Sequence, residues 1–189
     1  MTRLWMVRHG PTHAKTMVGW ADIPADLSDQ DAVRRLRAYL PAAPVVSSDL
    51  SRAVATADDL GAQSRLDHDP ALREMNFGDW DMRHFADVEK ENPQHIRAFW
   101  ETPGDIAPPN GESWNTLCDR VGNAIDGYLT RGFDDLIVVA HFGTILSQIQ
   151  RAAGMTAYEA FGHKIDNLSV SDIAFIDGQW RVGRINHVP

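Results

Sequence analysis

The stretch Leu4-Trp5-Met6-Val7-Arg8-His9-Gly10 passes from an apolar run into two basic residues and a glycine. An unbroken apolar run of this length is typical of a strand that is buried on both faces of a sheet. Sheets of that kind are covered by helices, and they bind ligands beyond the carboxyl ends of their strands. We therefore expect Arg8 and His9 to lie at a ligand-binding edge.

Two further strands are predicted to end at the same edge. Residues 136–140 form a second apolar run, which is followed directly by His141. Residues 44–47 form a shorter one, after which Ser48-Asp49 is predicted to cap a helix that runs to about residue 60 and carries Arg52 in its first turn. Because parallel strands end at one edge of a sheet, two histidines and two arginines can meet there.

The rest of the chain alternates between helical and extended patterns. We predict helices over residues 29–40, 85–100, 114–129 and 143–153, an edge strand over 66–68, and two antiparallel strands over 169–176 and 180–186 that are joined by a turn at Asp177-Gly178. This alternation predicts an α/β fold, a three-layer α/β/α sandwich with a mostly parallel central sheet. We expect one domain over residues 1–189, with residues 71–111 as an excursion that covers the site.

Charge and composition exclude several classes of function. The 18 Lys and Arg against 26 Asp and Glu give a net charge of −8, which argues against nucleic acid and anionic membranes as partners. A small anionic substrate can still bind in a local basic pocket. No apolar run is long enough to span a bilayer and no signal peptide opens the chain, so we expect a cytoplasmic protein. Cys118 is the single cysteine, and its helical spacing predicts a buried structural thiol.

The residue types at the predicted edge suit a phosphoryl group. Arginine offers a planar fork of donors that matches phosphate oxygens, and a neutral imidazole can attack phosphorus. A second histidine, if protonated, would be a further donor, and the helix starts near Ser48 and Gly143 would add backbone N–H groups. Taken singly, a histidine after a strand is more often structural, and Arg52 is more often a solvated charge. The prediction depends on their shared position.

Six motifs occur in order along the chain. They are Arg8-His9-Gly10-Pro11-Thr12, Gly19-Trp20 with Asp22, Ser47-Ser48-Asp49-Leu50-Ser51-Arg52-Ala53, Leu72-Arg73-Glu74-Met75-Asn76-Phe77-Gly78-Asp79-Trp80, Asn110-Gly111-Glu112-Ser113 and Val138-Val139-Ala140-His141-Phe142-Gly143. Together they resemble the histidine phosphatase superfamily, also called phosphoglycerate mutase-like, from Leu4 to about Ser171. The nearest branch is that of the small phosphatases that include α-ribazole phosphatase.

The resemblance implies a phosphoglycerate mutase-like fold and a role for each motif residue. His9 would accept the phosphoryl group, and Glu74 would protonate the leaving oxygen. The phosphate pocket would be formed by Arg8, Thr12, Arg52 and His141. The implied function is that of a metal-independent phosphatase, a phosphomonoester hydrolase that acts on a small phosphorylated metabolite through phosphohistidine and needs no cofactor.

Some positions depart from the family pattern and leave the substrate open. Lys15 stands where asparagine is common, and it either contacts the substrate or points to water. Met82 and Phe142 replace common glycines. Asp79 and Asp81 look like a metal pair, but no ligand cluster surrounds them and we expect no metal.

The alternatives are a mutase that returns the phosphoryl group to the substrate, and a phosphate-binding regulatory module without turnover. The sequence does not predict the oligomeric state.

Overall fold

Five strands form one sheet in the computed structural model, which describes residues 1–189. They are β1 (Thr2–Arg8), β2 (Val45–Ser47), β3 (Asp135–Ala140), β4 (Val170–Ile176) and β5 (Gln179–Val182), in the order β2-β3-β1-β4-β5. The three strands β1, β2 and β3 are parallel, whereas β4 is antiparallel to both of its neighbours. The sheet is therefore parallel at its centre, and the predicted α/β fold is confirmed.

Seven helices surround the sheet. They are α1 (Gln30–Tyr39), α2 (Ser51–Asp59), α3 (Phe85–Glu91), α4 (Pro93–Glu101), α5 (Trp114–Leu129), α6 (Phe142–Ala153) and α7 (Ala157–Phe161). Buried residues of α1 and α2 share a core with Val7 and Val139, whereas buried residues of α5 and α6 share one with Met6. Successive side chains of a strand point to opposite faces, so the apolar runs of β1 and β3 fill both cores. This is the predicted three-layer sandwich.

The predicted helix over residues 85–100 is wrong, because the structure has two helices that meet at Asn92. Pro93 has no N–H group and disfavours the helical conformation at the residue before it. Asn92 accordingly leaves the helical region, with φ of −146° and ψ of 74°. Its side chain then accepts a hydrogen bond from the backbone N–H of His95 at 3.3 Å and caps α4.

The predicted cap of α2 is also wrong. The N-cap residue is Leu50, whose side chain forms no capping hydrogen bond. Asp22, from a separate segment, accepts from the N–H of Ser51 at 2.7 Å instead. Asp49 is occupied elsewhere, since its two oxygens pair with the guanidinium of Arg73. A cap supplied from a distant segment leaves no local signal in the sequence.

Several smaller predictions need correction. The edge strand over 66–68 is absent, and this part of the chain forms a single bridge between Val45 and Arg65 before Pro70 begins a short 3-10 helix. The last strand, β5, ends at Val182 rather than at 186, although the Asp177-Gly178 turn is present with φ of 49° and 79°. The sequence analysis missed α7. Cys118 is half-buried rather than buried, and burial raises the pKa of its thiol to about 12.

No helix combines the length and the hydropathy that crossing a bilayer requires.

Two turns within the segment 71–111 are in direct backbone contact. The N–H of Asp79 donates to the carbonyl of Pro109 at 2.9 Å, and the N–H of Glu112 donates to that of Asn76 at 2.9 Å. Gly78 makes this contact with φ of 51°. Its backbone lies so close that an added Cβ would be 2.1 Å from the Pro109 oxygen. That this segment covers the site stays a prediction.

We predict that Gly78→Ala destabilises the protein far more than Gly132→Ala. Both glycines have positive φ, but nothing lies within 4 Å of a Cβ at Gly132. The control, Gly132→Ala, should therefore lose about 1 kcal/mol of unfolding free energy, because alanine is strained at positive φ. Gly78→Ala should lose at least about 3 kcal/mol, because the backbone of the facing turn must also move. Urea unfolding measures both. Equal losses would show that the contact between the two turns contributes nothing.

Candidate active site

The parallel strands bring the predicted residues to one edge. The N–H of His9 donates to the carbonyl of Ala140 at 3.1 Å, which continues the pairing of β1 with β3 past the end of the strands. His9 and His141 therefore lie side by side, with ring centroids 5.1 Å apart and planes inclined at 58°. The sequence prediction that the two histidines meet is in agreement with this geometry.

His9 is buried, and its ring makes one hydrogen bond. Its Nδ1 lies 2.7 Å from the carbonyl oxygen of Gly10. A carbonyl oxygen only accepts, so Nδ1 carries the proton and Nε2 keeps its lone pair. Burial lowers the pKa of His9 from 6.5 to about 3, and the charges of Arg52 and Arg8 lower it further while the bond to Gly10 opposes the change. His9 is therefore neutral with a free nitrogen.

Two side chains outside the predicted set of site residues fix the backbone at His9. Thr56 accepts from the N–H of Gly10 at 3.0 Å and donates to the carbonyl of Arg52 at 2.7 Å. Asn167 donates to the carbonyl of His9 at 2.8 Å. Thr56 lies four residues after Arg52 on α2, and this spacing on one helix face was the available signal.

Arg52 and Arg8 are held by backbone carbonyls rather than by carboxylates. Arg52 is 1% exposed and donates to the carbonyls of Gly19 at 2.7 Å and Ala21 at 2.8 Å. Arg8 donates to the carbonyl of Ile165 at 2.6 Å, and its buried Nε has no partner. Carbonyls orient a guanidinium without cancelling its charge. Both positive charges therefore stay available to an anion.

Asp81 completes the support of Arg52. Its two carboxylate oxygens accept from the N–H groups of Gly19 and Ala21, both at 2.8 Å. Asp81 thus binds the N–H groups of Gly19 and Ala21, and Arg52 binds the carbonyls of the same two residues. Asp79 accepts from the side-chain amide of Asn110. Both carboxylates that resembled a metal pair therefore bind protein N–H groups.

His141 is completely buried, and neither of its ring nitrogens has a hydrogen-bond partner. Burial lowers the pKa of His141 well below its ordinary value, and the nearby His9, Arg52 and Arg8 act in the same direction. The protonated form, in which His141 would be a further donor, is therefore disfavoured in the free site. Unpaired buried nitrogens are costly, and an oxygen of a bound ligand would satisfy one of them.

Glu74 lies at the amino end of α6. Its Oε1 accepts from the N–H of Met75 at 2.9 Å and of Gly143 at 3.1 Å, and its Oε2 lies 3.2 Å from the same Gly143 nitrogen. Burial raises the pKa of the carboxyl, while the two N–H groups and the arginines oppose the rise. A Cβ at position 143 would stand 2.5 Å from Oε1, so a side chain there would displace the carboxyl from this position.

The charges of Arg8 and Arg52 act on His9, on His141 and on Glu74 alike. These five side chains consequently form one site. Of the two remaining candidates, Thr12 is half-buried and Lys15 is exposed. Their contact with a substrate stays a prediction. No group of three or more His, Cys, Asp or Glu is arranged to hold a metal ion.

Matches to known sequences identify the family to which this site belongs. The sequence matches the family model of the histidine phosphatase superfamily (branch 1) over residues 4–188. An adenosylcobalamin/α-ribazole phosphatase of Escherichia coli (strain K12) is 30% identical over 173 residues, which cover 87% of this chain and 85% of the relative. A protein of Shigella boydii serotype 18 named "Probable phosphoglycerate mutase GpmB" is 26% identical over 190 residues, 95% and 88% of the two chains.

A solved structure agrees with the sequence matches. The crystal structure of the α-ribazole phosphatase from Shigella flexneri superposes with a TM-score of 0.83 at 27% identity, and the match covers 98% of this chain and 96% of that one. The family model and these relatives each span nearly the whole chain. From its fold, the arrangement of its site and these matches, the chain belongs to the histidine phosphatase superfamily, branch 1.

Proposed function

We propose that this phosphatase hydrolyses small phosphate monoesters through a phosphohistidine on Nε2 of His9, without a metal ion. The observation that carries the proposal is the state of His9. Its proton is held on Nδ1 by Gly10, so the lone pair of Nε2 is free for in-line attack between two unneutralised arginines. The family and the relatives named as phosphatases show that the chain is a phosphatase.

In the first step, Nε2 of His9 forms a bond to phosphorus as the bond to the ester oxygen breaks. Glu74 gives its proton to that oxygen, because an alkoxide is a poor leaving group. The resulting carboxylate is stabilised by the N–H groups of Met75 and Gly143. The phosphoryl oxygens would be bound by Arg8, Arg52 and an unpaired nitrogen of His141.

In the second step, water attacks the phosphohistidine. Glu74, now ionised, accepts a proton from the water as its oxygen bonds to phosphorus, and the electrons of the breaking P–N bond return to Nε2. Inorganic phosphate leaves, and the site regains a neutral His9 and a protonated Glu74. No metal is needed, because the arginines supply the positive charge that a metal would provide.

A small phosphorylated metabolite is the proposed substrate class. The net charge of −8 disfavours nucleic acid, whereas Arg8 and Arg52 place positive charge beside His9. Relatives named for adenosylcobalamin and α-ribazole make phosphate esters of that kind the first substrates to screen. Thr12 and Lys15 are proposed to contact the substrate from the loop after His9.

A mutase is the second candidate, and the relative named as a phosphoglycerate mutase favours it. A mutase must keep water away from its phosphohistidine until the phosphoryl group has been transferred. The segment 71–111 is the cover that we expect over the site, and we propose that it leaves the phosphohistidine open to water, which favours hydrolysis. A binding module without turnover is disfavoured, because His9, Glu74 and His141 are all present.

The first functional prediction concerns His9. Rapid acid-free quenching with 32P-labelled substrate should trap label on His9 in an acid-labile bond, and His9→Ala should take up no label and lose turnover by at least about 10³-fold. Full activity in His9→Ala would refute the mechanism. The same label separates the two enzyme candidates: hydrolysis releases it as inorganic phosphate, whereas transfer from a bisphosphoglycerate primer into 2-phosphoglycerate would identify a mutase.

The second concerns metals. Exhaustive treatment with a chelator should leave kcat/KM unchanged, because no step uses a metal ion. A zinc-dependent phosphatase treated in parallel shows that the chelator is effective. Vanadate, which imitates five-coordinate phosphorus, should inhibit. Activity that disappears on chelation and returns with one divalent ion would contradict the proposal.

The third concerns pH. The pKa of His9 is about 3 in the folded protein and near 6.5 when exposed, so between these values the unfolded chain binds more protons. Stability is therefore lost as pH falls from about 6.5 towards 3. His9→Ala removes this contribution, so its unfolding free energy should depend less steeply on pH between about 4 and 6. Identical slopes in urea unfolding series would show that His9 is not buried as a neutral ring.

A further inference from the structure

Arg120 on α5 has every donor of its guanidinium engaged. An arginine side chain offers five N–H groups in a fixed plane. Here the acceptors are Oε1 and Oε2 of Glu112 at 2.8 and 2.7 Å, and the backbone carbonyls of Ala71, Arg73 and Glu74 at 2.8, 3.0 and 3.2 Å. Three of the five bonds thus go to the backbone of the segment that carries Glu74.

Glu112 extends the same contact. Its side chain is 9% exposed, and its Oε2 accepts from the N–H of Asn76 at 2.9 Å as well as from Arg120. The ion pair therefore holds the segment at residue 71, at 73 to 74 and at 76. The carbonyl of Glu74 also accepts from the indole N–H of Trp20 at 2.8 Å.

The segment needs such support because regular structure does not supply it. Between the short 3-10 helices at Pro70–Leu72 and Gly78–Trp80, no helix or strand fixes its backbone. The carboxyl of Glu74, which this segment carries, must nevertheless contact the N–H of Gly143, 69 residues away in sequence. Proton transfer depends on such distances, and a misplacement of about 1 Å can reduce a rate by roughly 10²-fold.

We propose that Arg120, held by Glu112, is a positioning residue that places the carboxyl of Glu74 for proton transfer to the leaving oxygen. This inference rests on the proposed function, which makes Glu74 the acid. Arg120 does not touch the reacting atoms in this account. It acts through the backbone of residues 71–76, and its loss should affect the step in which the leaving oxygen is protonated.

The test is Arg120→Lys, which keeps the charge but not the planar fork. The measurement is kcat/KM for phosphate monoesters whose leaving groups range from activated phenols to simple alcohols. Alkyl esters should lose roughly 10–100-fold more than activated aryl esters, because only the former depend strongly on the acid. The slope of log(kcat/KM) against leaving-group pKa should become steeper, which a merely destabilised fold would not cause.

Two further variants sharpen the test. Glu112→Gln keeps the shape of its side chain but weakens the hold on Arg120, so it should steepen the slope in the same direction and to a lesser extent. Arg151→Lys is the matched control: Arg151 pairs with Asp126 at 2.7 Å and donates to the carbonyl of Gly122, but not to residues 71–76. It should change all esters equally.

Glu74→Gln provides the reference and separates the two claims. If Glu74→Gln is selective for alkyl esters and Arg120→Lys adds nothing to it in the double variant, the positioning role is supported. If Glu74→Gln is selective but both Arg120→Lys and Glu112→Gln reduce all esters equally, the positioning role is overturned and the proposed function stands. If Glu74→Gln itself acts equally on all esters, the acid assignment fails and the positioning role falls with it. Should Arg120→Lys not fold, Glu112→Gln decides by the same criterion.

Discussion

The site depends on two guanidinium groups that form no ion pair with a carboxylate, that of the buried Arg52 and that of the half-buried Arg8. Arg8 and Arg52 are oriented by backbone carbonyls, so their charges act on everything near them. Burial lowers the pKa of His9 and of His141, and the two arginines lower it further, so both rings are neutral in the free site. In the proposed mechanism, the charges that would bind the phosphoryl group thus also favour the reactive, neutral form of His9.

Glu74 experiences the same field with the opposite effect. Its burial favours the protonated acid, whereas the arginines and two backbone N–H groups favour the carboxylate. Opposed influences of this kind suit the role proposed for Glu74, which is to give up a proton and then take one back. The balance requires close contact with Gly143, and it is the missing side chain of that residue that allows the contact.

The sequence predicted the parts of the site that follow from strand ends. Apolar runs locate β1 and β3, and their ends place His9 and His141 together because parallel strands end at one edge. What it could not predict are contacts that join distant segments. Asp22 caps α2 and Asp81 supports the carbonyls that hold Arg52, and neither leaves a local pattern. The break at Asn92 was predictable, because Pro93 marks a helix boundary in the sequence. The prediction of one helix followed the apolar periodicity instead.

The hydrogen bonds to residues 19–21 have a consequence for the affinity of Arg52 for an anion. A free arginine side chain carries about 2 kcal/mol of rotamer entropy, which is normally lost when it binds an anion. Arg52 is already confined by the carbonyls of Gly19 and Ala21, and that peptide is confined in turn by Asp81. The ordering of this side chain is therefore complete when the chain folds. In the proposed mechanism, an arriving phosphate would meet a preorganised donor, and more of the interaction energy would remain as binding free energy.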